Sequence, residues 1–164
     1  MVYTHQVVRK NSKTMWSFEK KVIEKLEDMP ENTFGFIYEI THIPTGKKYL
    51  GKKQTTSVRK KPLGKKELAL LTDKRAKKYK IIETESDWKT YYGSHPEIKQ
   101  MIKEGRQSEF EREILIYTRD KKTHTYYENK YLFLKGVIEP DSNYFNDNIE
   151  GRYFKKDFLK KDLL

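Results

Sequence analysis

The 164-residue sequence predicts an α/β domain of the α+β kind, a small sheet flanked by helices, and three features carry that prediction, a hairpin, a strand and a helix. Phe34 to Thr41 and Lys47 to Gly51 are rich in aromatic and β-branched residues. Between them lies the turn-forming Pro44-Thr45-Gly46, so the pair reads as a β-hairpin. Phe110 to Tyr117 ends in the apolar run Ile114-Leu115-Ile116-Tyr117 and reads as a buried strand. Thr123 to Gly136 then reads as a helix closed by its terminal glycine.

The remaining elements follow from periodicity and punctuation. Between Thr14 and Asp28, Met15, Phe18, Val22, Ile23 and Leu26 recur at three- and four-residue steps, which predicts an amphipathic packing helix ending before Pro30. Pro62 and Gly64 make the start of the following basic stretch loop-like, while Lys65 to Lys80 has helical character. Ser94 to Gly105 predicts a helix with Pro96 in its first turn. Asp141 to Gly151 is an Asn/Asp-rich loop, with a short helix after it. The organisation expected is an N-terminal extension (1–32), a core domain (33–151) carrying a basic insertion (54–89), and a short C-terminal extension (152–164).

Composition narrows the partners. Hydrophobic residues make up 35% and aromatic residues 13%, enough rings to build a core. With no cysteine, disulfides, thiolate zinc sites and cysteine nucleophiles are excluded, and any metal must sit on oxygen or imidazole. No stretch approaches the roughly 20 apolar residues of a membrane span, and Met1 to Lys10 lacks a secretory signal core. A cytoplasmic protein with no membrane partner is expected. The net charge is +11, yet residues 47–80 alone hold fourteen Lys or Arg against Glu67 and Asp73. A surplus confined to one segment predicts a polyanion-facing surface, with nucleic acid as partner.

Phosphodiester hydrolysis needs an activated water, cations for the charge developing on phosphorus and, as a rule, a carboxylate-held metal. Candidates for all three are present. The hairpin runs Gly35-Phe36-Ile37-Tyr38-Glu39-Ile40 and then Lys48-Tyr49-Leu50-Gly51-Lys52, with Arg59 ten positions after Tyr49. Tyrosines on paired strands can converge, and Gly51 permits close approach of a phosphate. Glu128 shares a helix face with Tyr131 and Leu132, so its carboxylate points along the side that packs on the sheet.

These segments resemble the GIY-YIG nuclease superfamily. Phe36-Ile37-Tyr38 is similar to its first motif and Tyr49-Leu50-Gly51 to its second. Arg59 stands at the distance of the family's arginine, and Glu128 in Tyr127-Glu128-Asn129-Lys130-Tyr131 at the place of its metal-binding glutamate. Tyr91-Tyr92-Gly93-Ser94-His95, the strand from Glu109 to Leu115, and Tyr144-Phe145-Asn146 resemble later features of phage-type and homing members. The likeness spans about Thr33 to Gly151 and implies a three-stranded antiparallel sheet. The activity it implies is DNA endonuclease action with one Mg²⁺ or Mn²⁺ on Glu128. The implied catalytic set is Tyr38, Tyr49, Arg59 and Glu128, joined by Lys52, His95 and Asn146. In the first motif Phe36 replaces glycine and in the second Leu50 replaces isoleucine, neither removing a phenol. The family's His or Tyr four positions after the arginine is Leu63 here, so a catalytic helper is missing from that place.

The expected mechanism has Glu128 holding the metal. Tyr38, its pKa lowered by adjacent cations such as the lysines around Tyr49 or by the metal, takes a proton from water directly or through Lys52 or His95. Arg59 binds a non-bridging oxygen, and Tyr49 orients water or phosphate. Lys47, Lys48, Lys53, Lys60, Lys61, Lys65, Lys66, Arg75, Lys77 and Lys78 are expected to track the DNA backbone, duplex DNA being the expected substrate. A concerted double-strand break requires two copies, hence a homodimer. His5, His42 and His124 are expected at the surface, and Trp16 and Trp88 in the core. Two other readings fit the same residues. One is a non-catalytic nucleic-acid-binding protein with stacking tyrosines, the other a repair or junction nuclease acting on structured DNA. The style of the resemblance suggests a phage or mobile-element setting.

Overall fold

A computed structural model describes residues 14–159. Its centre is the expected hairpin, β3 (Gly35–His42) and β4 (Lys47–Gln54), joined by the turn over Pro44 to Gly46. β3 pairs on its other side with antiparallel β7 (Phe110–Thr118), and a register shift between Ile37 and Tyr38 places a bulge beside Tyr38. β3 is therefore central and β4 lies at the edge.

The sheet has five strands, not three. Two short strands, β1 (Trp16–Phe18) and β2 (Lys21–Ile23), extend it in the order β2-β1-β7-β3-β4, with β1 parallel to β7. They occupy the segment expected to be helical, and the reason is local. Glu19 and Lys20 both adopt positive φ, 47° and 68°, closing a tight hairpin that turns Trp16 inward opposite Ile23. Trp16 is 1% exposed, donates its indole N–H to the Trp88 carbonyl at 2.7 Å, and thereby ties β1 to the core. Both tryptophans are core residues, as expected.

Side chains alternate between two layers. On one face Phe36, Tyr38 and Ile40 pack with Trp16, Trp88, Phe110 and Ile98 of α2 (Pro96–Lys103). On the other, Ile37 and Leu50 pack with Leu132 of α3 (Lys121–Leu134), Val137 and Ile138. Asp120 caps α3 by accepting the Thr123 N–H at 2.8 Å, and the chain leaves that helix at Gly136, with φ of 53°. Beneath α3, Glu39 is buried among Lys48, Lys135 and Tyr144. Burial opposes its ionisation, but hydrogen bonds from those three outweigh the penalty and hold its carboxyl below the usual range.

The basic insertion is an antiparallel ribbon. β5 (Thr56–Pro62) pairs residue for residue with β6 (Tyr79–Glu85), and only Lys65–Ala69 of the stretch read as helical forms a helix, α1. At the ribbon's base, Thr55 is buried and its hydroxyl bonds the carbonyls of Thr33 or Phe34. A small hairpin, β8 (Asn148–Ile149) with β9 (Tyr153–Phe154), and the expected short helix α4 (Lys155–Phe158) complete the described chain. Among the described residues no helix is long and apolar enough to cross a membrane.

Candidate active site

Both phenols reach the edge of the sheet at β4. Tyr38 stands directly across from Gly51 and its ring folds over that residue. A Cβ at position 51 would come within 2.5 Å of the Tyr38 hydroxyl, so only glycine lets the phenol cross the edge strand. Tyr49 lies on the same face, its ring centroid 6.3 Å from that of Tyr38. It presses on Gly93, whose φ of +85° and 2.9 Å clearance leave no room for a side chain. Its hydroxyl shares a 2.7 Å hydrogen bond with Ser94. Tyr91 packs edge-on against Tyr38 at 5.9 Å.

From the opposite face, α3 brings Glu128 to the same rim. Its Oε2 lies 2.8 Å from the Lys52 ammonium, which also donates to the Thr125 hydroxyl at 3.1 Å. Although α3 packs across the sheet from both phenols, the Glu128 charge contributes to raising the pKa of each, so the carboxylate lies within electrostatic reach of both. Beside the rim opens a cleft of about 820 Å³ between sheet and ribbon, lined by Lys52, Lys53, Tyr91, His124 and, on β5, Arg59. Arg59 is exposed and pairs with no carboxylate among the described residues.

Residues 16–149 match the family described as "Putative endonuclease segE, GIY-YIG domain". The chain belongs to this GIY-YIG family. No curated protein and no solved structure matches it. Membership assigns the reaction class, endonucleolytic cleavage of DNA.

Within this GIY-YIG domain the electrostatics correct one expectation. The lysines near Tyr49 do not lower the phenol pKa values. Burial pushes Tyr38 well above its ordinary value, and Tyr91, Tyr49 and Glu128 add to the rise. Tyr49 is raised too, chiefly by burial, against an opposing hydrogen bond from Ser94. Both phenols are neutral hydroxyls at neutral pH.

Other expected site residues are engaged in holding the scaffold. His95 caps α2: its Nδ1 accepts the Glu97 N–H at 3.3 Å, its Nε2 faces Asp147 at 3.1 Å, and its ring lies 6.1 Å from that of Tyr49. Asn146 accepts the Leu50 N–H at 3.0 Å and donates to the Leu50 carbonyl at 2.8 Å, so it acts as a one-residue strand sealing the edge of β4. Lys48 is spent on buried Glu39, Lys53 on Asp87 and the Tyr91 ring, and Lys47 lies over Phe145. By contrast Lys60, Lys61, Lys65, Lys66, Arg75, Lys77 and Lys78 are exposed along the ribbon and its connecting segment.

Two histidines contradict the expectation of surface positions. His42 is 5% and His124 2% exposed, because Thr45 and Glu109 satisfy the first and Thr118 the second, while His5 lies outside the described residues. The sequence reading also missed Tyr91 and Ser94 as site residues, though both lie within two positions of Gly93 in the segment singled out there.

No group of three or more His, Asp or Glu side chains forms a cage among the described residues. The donor set is a single carboxylate whose Oε1 carries no hydrogen bond or ion pair among them. A hard divalent ion that keeps most of its waters fits such a set, whereas a metal needing several protein ligands does not.

Proposed function

We propose that this GIY-YIG domain hydrolyses duplex DNA with one divalent cation, Mg²⁺ or Mn²⁺, on Glu128. The observation that carries the reading is the Lys52–Glu128 ion pair at the edge of the sheet, within electrostatic reach of two neutral phenols, with Arg59 lining the adjoining cleft. When bound, the cation supplies Lewis-acid stabilisation of the charge developing on the phosphate. Lys52 holds the Glu128 carboxylate toward the rim. Tyr38 and Tyr49, as neutral hydroxyls, donate to phosphate oxygens or orient the water, roles that burial strengthens by excluding competing solvent. Arg59 swings onto a non-bridging oxygen, where its planar fork fits phosphate better than an ammonium does. His95 and Asn146 act one step back, fixing α2 and the edge of β4.

The exposed cations of the ribbon hold the DNA backbone. Each chain carries one rim, so a monomer nicks and a homodimer makes the concerted double-strand cut.

Supercoiled plasmid tests this. Wild-type protein is expected to nick it with Mg²⁺ and not with chelator. Glu128→Gln is expected to cut at least about 10³-fold more slowly and Arg59→Ala about 10²- to 10³-fold, with DNA retardation retained in both. Retardation by wild-type protein without cleavage in any metal would instead establish a non-catalytic binder.

A further inference from the structure

If the phenols are neutral and both His95 nitrogens are taken, the proton of the attacking water has no acceptor in the expected set. The Lys52 ammonium cannot serve either, since it donates to Glu128 and Thr125. Another imidazole stands at the cleft. His124, in the first turn of α3, lines it together with Lys52, Arg59 and Tyr91. Glu128 follows four residues later, one turn along the same helix face.

The tautomer of His124 follows from its neighbours. The Thr118 hydroxyl has one proton and two partners, the Gly35 carbonyl at 3.1 Å, which can only accept, and His124 Nδ1 at 2.8 Å, which can accept or donate; both contacts are hydrogen bonds only if Thr118 donates to the carbonyl and accepts from Nδ1. Nδ1 therefore carries the hydrogen. The ring is neutral at neutral pH, because burial and then the Lys52 charge push its pKa down to about 4. That leaves a lone pair on Nε2, which makes no hydrogen bond among the described residues. The ring is held from three more sides. Phe34 packs edge-on at 5.4 Å, Gly35 approaches so closely that a Cβ there would lie 2.7 Å from Cε1, and the helix fixes the backbone. A rigid, neutral imidazole with its free lone pair at a cationic cleft is arranged to take a proton.

We propose that Nε2 of His124 is the base that accepts the proton of the attacking water, a role that rests on the endonuclease reading above. As the water oxygen bonds to phosphorus, the bond from phosphorus to the leaving oxygen breaks. The water's proton passes to Nε2 and the leaving oxygen takes a proton from solvent. The resulting imidazolium keeps its Nδ1–H on Thr118 and returns the other proton to solvent when product leaves. Phosphate charge in the cleft offsets that of Lys52, so His124 becomes more basic when DNA is bound.

His124→Asn is the test, because the asparagine amide can replace the Nδ1–H donation to Thr118 while removing the lone pair. Single-turnover cleavage in Mg²⁺ is expected to fall about 10²- to 10⁴-fold at neutral pH, the range for a lost general base. DNA affinity measured in chelator is expected to hold, and the deficit to shrink as pH rises and hydroxide replaces the base. Thr118→Val, which keeps the imidazole, is expected to lose much less. Wild-type cleavage rates in His124→Asn would overturn the proposal. So would equal losses in the two variants with parallel loss of thermal stability, which would make the pair structural. Failure of the wild-type protein to cleave in any metal would overturn the endonuclease reading itself, and this base with it.

Discussion

The two walls of the cleft are built on opposite principles. On the sheet side each functional group is fixed by a partner from another element: Tyr49 by Ser94, Lys52 by Glu128, His95 by Asp147, Leu50 by Asn146. On the ribbon side the side chains stand in solvent. Val58 is 61%, Ile81 63% and Leu70 81% exposed, and one ion pair, Lys80 with Glu67, joins the ribbon to α1. The difference separates two physical tasks. Chemistry needs groups held to within a fraction of an ångström, since misplacement by about 1 Å can cost about 10²-fold in rate. Holding a polyanion needs only charge, which acts over a Debye length of about 8 Å at physiological salt.

Two glycines put that contrast to its strongest test. Gly51→Ala drives a methyl into the Tyr38 hydroxyl, whereas Gly64→Ala on the ribbon meets nothing nearer than a Glu67 oxygen at 3.6 Å. The first is expected to cost about 10²-fold or more in cleavage and about 1 to 3 kcal/mol in stability, as overpacking does. The second is expected to change neither. Cleavage assays and thermal melts of the two variants, read together, decide it. A tolerant position 51 would mean that the rim is not pre-organised.

A smaller effect is expected on the ribbon. Lys60→Ala combined with Lys61→Ala removes two exposed cations without touching the rim. The slope of log affinity against log salt is then expected to flatten by about 2, equally for all sequences, with cleavage of bound DNA unchanged. A loss confined to particular sequences would show that the ribbon reads bases and would bring its two strands into the groove.

The sequence displayed what is encoded locally. The β3–β4 hairpin declares itself through its turn residues, and the spacing of Tyr38, Tyr49, Arg59 and Glu128 points to the site. Pairings between distant segments are not written locally. The Lys52–Glu128 ion pair joins residues 76 positions apart, and β1 is held by parallel pairing with β7 and by Trp88. Residues 14–28 misled for a definite reason. Strands of three residues are too short to show alternation, and the Glu19-Lys20 turn takes positive φ without the Asn-Gly or Asp-Gly that usually announces one. His42 and His124 looked like surface residues because the partners that make their burial tolerable, Glu109 and Thr118, are recognisable only in the fold.

The smallest expected effect also separates the walls, since histidine lines the sheet side and none lies on the ribbon. With its pKa pushed from 6.5 to about 4, His124 stays neutral in the folded protein where the unfolded chain would already bind a proton. Stability must therefore fall as pH drops from 6.5 toward 4, and His124 contributes no further slope below that. Carboxylates held low, Glu109 at about 2 among them, lose their contribution only below their ordinary 4.5, so the upper part of the window belongs to imidazoles. His42 and His95 are present in both wild type and His124→Asn, and the difference between the two isolates His124. Urea midpoints measured from about pH 5 to 7 are expected to rise with pH more steeply for wild type than for the variant. Parallel curves would show that the ring is not held neutral, and Nε2 would then lack the lone pair that the rim chemistry requires of it.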